Sequence, residues 1–168
     1  MLLTNLLTKE SIEGVIESIS DGDFDKIQHG KDQFDKFDWN AYRGKEVYKL
    51  RIANEERILG LMHLVDHLDP AINAIEIALL EVSCENIGAN KIIGNIAGCM
   101  IAFACGESFK RGHDGFIFLV PKTELIDHYH ERYGFIHLPI KTIGRPDGLM
   151  VLEPAASRRL ITKYLDEY

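Results

Sequence analysis

The chain has 168 residues and a formal net charge of −7, the size of one ordinary domain, with no shift in composition that marks a linker or a second core. Apolar residues make up 46% and charged residues 27%, which excludes the disordered class and allows a sizeable core. The acidic balance speaks against sequence-independent binding to nucleic acid, which needs clustered Lys and Arg on phosphates, and favours a cationic or amine-bearing partner.

Residues 1–7 carry no basic region, long apolar run or small-residue cleavage site, so they do not read as a signal peptide. No apolar stretch approaches the ~18 residues that cross a bilayer, and no membrane partner is expected. The three cysteines, Cys84, Cys99 and Cys105, are odd in number and lack CxxC spacing, which argues against a disulfide framework and a zinc site and for reduced thiols in the cytoplasm.

In residues 9–20, Ile12, Val15, Ile16 and Ile19 recur at three-four spacing, predicting a first amphipathic helix stopped by Asp21-Gly22. Residues 23–44 set Phe24, Phe34, Phe37, Trp39 and Tyr42 among acids and lysines and read as short helix and loop, with the aromatics tucked onto the domain. Residues 46–53 alternate like a strand, residues 54–57 are polar and residues 58–65 are apolar again, a β-hairpin signal. Residues 75–83 form a long, partly β-branched run that suits a central strand buried on both faces, followed by loop chemistry over 85–90. Residues 96–111 read as a nearly all-apolar helix with Lys110 and Arg111 in its last turn and Gly112 beyond.

Residues 116–120 form another buried strand, and Pro121 with Thr123 as N-cap opens a helix over 124–133 that Gly134 closes. Strands follow over 135–138 and 148–152, and Pro154 starts a terminal helix with an inner face of Leu160, Ile161, Tyr164 and Leu165. The order of elements predicts an α/β or α+β domain spanning residues 1–168, with at least one parallel crossover at its centre and no internal repeat.

The central strand runs into a loop with Gly94, Ala97 and Gly98 and then straight into a helix. Such a junction aims backbone N–H groups and the positive end of the helix dipole at one spot, where small residues let a pyrophosphate reach the backbone. Ordinary turn glycines are the plain alternative. Residues 74–102, together with residues 129–135 and their Tyr-Gly-Phe end, resemble the acyl-CoA-binding core of the GNAT (GCN5-related N-acetyltransferase) superfamily. With the hairpin before them these segments carry the resemblance; the first third of the chain is not diagnostic.

The resemblance implies a GNAT-like mixed central sheet flanked by helices, with an acyl-CoA site at the splayed central strands. The family loop reads Gln or Arg, any two residues, Gly, any one, then Gly or Ala. Ile92-Ile93-Gly94-Asn95-Ile96-Ala97 keeps the final small residue, puts Asn95, which tolerates left-handed geometry, where a glycine is usual, and has Lys91 beside the pattern as the basic residue. The loop over 85–95 is longer than usual. By resemblance, Lys91, Gly94, Asn95, Ile96, Ala97 and Gly98 hold the cosubstrate acetyl-CoA, the backbone N–H of Val82 faces the acyl carbonyl, and Cys84 lines the pocket.

Acyl transfer to an amine needs a base for the ammonium proton, polarisation of the thioester and an acid for the thiolate. Glu76, six residues before Val82, lies where the resemblance to histone acetyltransferases puts a catalytic glutamate, and Glu81 is its rival. Strand alternation sets the two on opposite faces unless a bulge intervenes. Tyr129 is the expected acid, Tyr133 packs in the core beside Phe135, and strict counting from Gly134 would put His130 at the family's tyrosine position. The His63/His67 and His128/His130 pairs lack a third ligand, so no metal is expected. Cys99 and Cys105 read as core. The resemblance thus implies an acetyl-CoA-dependent N-acetyltransferase using direct attack by a small amine, a peptide N-terminus or a lysine, in a family that often forms homodimers. The alternative is a catalytically degenerate GNAT-like acyl-CoA-binding or protein-interaction module.

Overall fold

The computed structural model describes residues 1–29 and 33–165. Its strands are β1 (Leu2–Asn5), β2 (Ser11–Ser18), β3 (Val47–Ile52), β4 (Ile58–His67), β5 (Ala74–Val82), β6 (Ile93–Gly94), β7 (Ile117–Leu119), β8 (Ile136–Leu138) and β9 (Leu149–Leu152). Its α-helices are α1 (Asp21–His29), α2 (Ile96–Lys110), α3 (Ile126–Tyr133) and α4 (Pro154–Tyr164). Hydrogen-bonded neighbours in the nine-stranded sheet follow the order β6-β1-β2-β3-β4-β5-β7-β9-β8. β5 and β7 pair in parallel, so the expected crossover runs through α2.

The first expected helix is instead a strand. β2 pairs with β1 through Leu3↔Ile12 and with β3 through Gly14↔Ile52. A helix here would crowd four β-branched residues, Ile12, Val15, Ile16 and Ile19, and place Gly14 mid-helix at about 1 kcal/mol. In the strand Gly14 is useful, because a Cβ there would come within 3.0 Å of the Leu3 side chain. Asp21-Gly22 therefore starts a helix and does not end one. The Ser20 hydroxyl accepts the Asp23 N–H at 3.1 Å while the Asp23 carboxylate accepts the Ser20 N–H at 2.9 Å, a reciprocal cap for α1. Residues 30–32 of the aromatic-rich stretch lie outside the described residues; the rest holds α1 and a 3-10 turn at Trp39–Tyr42.

Thr123 also departs from expectation. It opens a 3-10 turn, Thr123–Leu125, ahead of α3, and its hydroxyl donates to Asp147 Oδ2 at 2.7 Å in place of capping a helix. Gly134 closes α3 at φ 84°, as its position requires.

The chain divides into two compact units, one of residues 1–63 with 79–100, the other of residues 64–78 with 101–165. In the first, Phe24, Phe34, Trp39, Val47, Ile58 and Leu61 form a core against which Ile19, Phe37, Tyr42 and Leu79 pack. In the second, strand alternation sorts side chains by face. Ile117 is registered with Leu152, and Leu119 with Met150; all four are buried. The opposite face carries Phe118↔Val151↔Ile136 and Leu149↔Leu138, of which Ile136 and Leu138 are exposed. α4 contributes Ala156, Ser157, Leu160 and Tyr164 to the interior, whereas Ile161 and Leu165 remain partly exposed.

Candidate functional site

In the first unit β5 ends at Val82, which is partly exposed, and the next N–H, of Ser83, donates to Leu59 O at 2.8 Å. The long loop that follows is braced from within. Buried Asn86 donates to Ser83 Oγ at 3.0 Å and accepts the Ile93 N–H at 2.9 Å, and the Leu6 N–H reaches Ile92 O at 2.8 Å. Ile93 and Gly94 then pair with β1. Asn95 adopts φ 72°, the left-handed conformation that glycine supplies most easily, and its carbonyl accepts the Cys99 N–H at 2.9 Å to start α2.

The first-turn N–H groups of Ile96, Ala97 and Gly98 have no acceptor within the helix. Ala97 is small and partly exposed, Gly98 is buried, and the first turn holds no acid. These groups suit a pyrophosphate. Gly94 lies outside the left-handed region, and a Cβ on it would meet the Leu6 side chain at 3.0 Å. Lys91 is exposed. Cys84 is exposed too, its N–H donating to Gln33 O at 3.0 Å and its thiol facing Glu85 Oε2 at 3.8 Å. Burial works to raise the Glu85 pKa, but hydrogen bonds from its own backbone N–H, Gln33 and Arg57 outweigh it and hold the carboxyl below its ordinary range.

Glu81 is buried, and both its oxygens are engaged: the Trp39 indole N–H donates to Oε1 at 2.8 Å and the Lys36 backbone N–H to Oε2 at 3.1 Å. It fastens the aromatic-rich segment to β5. His63, also buried, donates from Nδ1 to Glu46 O at 2.9 Å and packs on Tyr42 at 5.1 Å.

In the second unit the pairing of β5 with β7 among the described residues is confined to Ile75↔Ile117 and Glu76↔Phe118. Glu76 accepts a hydrogen bond from His67 Nε2 at 2.8 Å, and the two side chains are 20% and 24% exposed. His67 was missed as a partner of Glu76. Between β4 and β5 the chain turns where Asp69 O accepts the N–H groups of both Ile72 and Asn73. The His67 ring packs on Phe118 at 5.1 Å, and the Arg145 guanidinium lies 5.9 Å from the same ring. Phe118, Ala74, Ile72, Phe116, Leu149 and Val151 help line a cavity of about 240 Å³ in which Arg145 is the charged side chain.

Tyr129 packs against Tyr133 and Phe135, with ring centroids 6.2 and 5.6 Å away, and burial pushes its hydroxyl pKa up. Tyr133 is in the core, its pKa pushed to about 12 chiefly by burial. His130 donates from Nδ1 to Phe135 O at 2.8 Å, tying α3 to the segment after it. Cys99 and Cys105 are buried, and burial lifts both thiols to about 12. Among the described residues no group of His, Cys, Asp and Glu is arranged to hold a metal ion, and no helix is long and apolar enough to cross a membrane.

No family model and no curated protein matches the sequence. Solved structures do match in fold. A chimera of spermidine N-acetyltransferase from Vibrio cholerae and hSSAT superposes with a TM-score of 0.59 at 16% identity, covering 92% of this chain and 99% of that one. A GNAT-family acetyltransferase from Listeria monocytogenes gives 0.56 at 18% identity over 83% and 93% of the two chains. A Bacillus subtilis acetyltransferase in complex with CoA gives 0.57 at 15% identity over 84% and 99%. The chain therefore has the GNAT fold, a mixed α/β architecture that among the described residues comprises a nine-stranded sheet and four α-helices.

Proposed function

We propose that residues 1–168 act as one cytoplasmic GNAT-type acyltransferase domain, an acetyl-CoA-dependent N-acetyltransferase with an amine acceptor. The observation that carries the reading is the start of α2, where left-handed Asn95 and small, partly exposed Ala97 stand at first-turn N–H groups that have no acceptor within the helix and suit a pyrophosphate. The fold likeness to acetyltransferases, one of them in complex with CoA, supports it.

Acetyl-CoA, when bound, supplies a thioester-activated acyl carbon; the amine nitrogen forms the new C–N bond, the C–S bond breaks, and amide, coenzyme thiol and one net proton result. Glu76 takes the proton of the acceptor ammonium. With Oε1 held by the His67 N–H, Oε2 is the oxygen that receives it, and the partial exposure of the pair lets the proton leave to water. A positioned base of this kind contributes about 10²–10⁴ in rate. Tyr129, a phenol protonated at neutral pH whose pKa burial pushes up further, supplies the proton of the departing thiol and recovers one from the nitrogen. Glu81, with both oxygens committed, anchors the fold and takes no proton.

Calorimetric titration with acetyl-CoA and CoA, followed by thiol release over a panel of amines, tests the reading. Saturable binding is expected, weakened at least tenfold by Ala97→Glu, whose added charge opposes phosphate. Glu76→Gln should lower kcat by about 10²–10⁴ while leaving CoA affinity intact. No binding at millimolar CoA overturns the reading; binding without turnover on any amine replaces it with a degenerate acyl-CoA-binding module; full activity in Glu76→Gln removes that residue as the base.

A further inference from the structure

We infer that the cavity of the second unit is the acceptor pocket and that it is built for an apolar amino acid, a small amine with an apolar body and a free carboxylate, and not for a polycation. The inference rests on the N-acetyltransferase reading.

Size and lining limit the ligand. At about 240 Å³ the cavity is smaller than the ~300–1,000 Å³ typical of drug-sized ligands. Its floor is Phe118 and Val151, registered neighbours on one sheet face, with Ala74, Ile72, Phe116 and Leu149 around them. These surfaces reward an apolar body by removing it from water.

Charge then sets the ends of the ligand. Arg145 lines the cavity, and among the described residues its guanidinium has no carboxylate partner. A half-buried guanidinium above an apolar floor is matched by a carboxylate, which it binds in two parallel hydrogen bonds. A polyamine would meet like charge there and has no carboxylate to offer Arg145. On the same sheet face, Glu76 stands in register with Phe118, and its partner His67 packs on that ring. Phe118 is thus touched both by Arg145 and by the residue that holds the base. A ligand lying on Phe118 with its carboxylate toward Arg145 and its ammonium toward Glu76 satisfies all three groups.

Binding of L-phenylalanine, L-leucine, phenethylamine and spermidine to the protein, measured by calorimetry or NMR titration without CoA, tests this separately from catalysis. The two amino acids should bind at least tenfold more tightly than phenethylamine, which lacks the carboxylate, and than spermidine. Arg145→Gln should erase the preference for phenylalanine over phenethylamine, and Val151→Phe, which fills the cavity from a partly exposed position, should abolish amino-acid binding; both variants should keep the CoA affinity and melting temperature of the parent. Equal or tighter binding of phenethylamine or spermidine, or unchanged phenylalanine affinity in Arg145→Gln, overturns the inference. Acetylation of spermidine alone would leave the acyltransferase reading standing and sink the pocket. Amino-acid binding in a protein that ignores CoA would do the reverse.

Discussion

Replacing Glu81 separates an anchoring carboxylate from a catalytic one. In Glu81→Leu the Trp39 indole N–H, on a side chain only 1% exposed, loses its acceptor, and so does the Lys36 backbone N–H. A buried donor left unsatisfied costs about 1–3 kcal/mol, and the Lys36 group is open enough to recover part of its loss from water. The sum is about 2–4 kcal/mol. Glu81→Gln keeps one acceptor for the indole but turns an amide NH₂ toward the second donor, for about 1.5–3 kcal/mol. In a domain of this size that corresponds to a fall in Tm of roughly 4–10 °C. Trp39 is the single tryptophan of the chain, so urea unfolding followed by its fluorescence reports stability and the local contact together. A Glu81→Gln protein within about 0.5 kcal/mol of the parent, with unchanged emission and abolished turnover, would refute the reasoning and make Glu81 the base.

Three other outcomes follow from particular contacts. Asp23 is pulled below its ordinary 3.8 because hydrogen bonds from Lys49 and Ser20 outweigh the raising effect of burial. Its contribution is therefore complete above the unfolded pKa and is lost as pH falls through the lower folded value; Asp23→Asn should flatten the stability profile below about pH 4 and leave a parallel curve above it. Gly148→Ala should lower Tm by several degrees, since φ is +79° and the new Cβ would press on the Leu138 carbonyl and Pro139 backbone, at about 1–2 kcal/mol for the left-handed backbone alone; an unchanged Tm would mean that the β8–β9 connection relaxes freely. A thiol reagent at neutral pH should modify one cysteine in the native protein, exposed Cys84, and all three after unfolding, because burial lifts Cys99 and Cys105 to about 12. Fast reaction of a second thiol would contradict that burial.

The sequence is most legible where a local period decides the structure. Alternation in β3, the apolar runs of β4, β5 and α2, and Gly134 after α3 need no partner to be read. Asn95 was legible for the same reason, its side chain being one of the few that tolerate left-handed backbone. What escaped depends on distant residues. Ile12, Val15, Ile16 and Ile19 match a helical spacing, and the outcome is decided by strands supplied from Leu2–Asn5 and Val47–Ile52. The close approach of Leu6 to the Cβ space of Gly94 depends on pairing between β1 and β6. The hydrogen bond that Glu81 accepts from Trp39 joins residues 42 apart in the chain. Arg145 sits in a polar turn without periodicity, and only folding carries it over Phe118.

The brace inside the loop between β5 and α2 also makes its tip dispensable. Buried Asn86 holds the start of the loop to Ser83 and the end to Ile93, while residues 87–92 are exposed and Gly88 has nothing within 4 Å of a Cβ position. The order needed at Asn95 and the start of α2 is therefore secured before the tip is reached. Residues 88–90 form a natural splice point, where a peptide tag, a fluorophore or a protease cut can be introduced with both ends still pinned, placing a reporter beside the helix N-terminus at little cost to the fold.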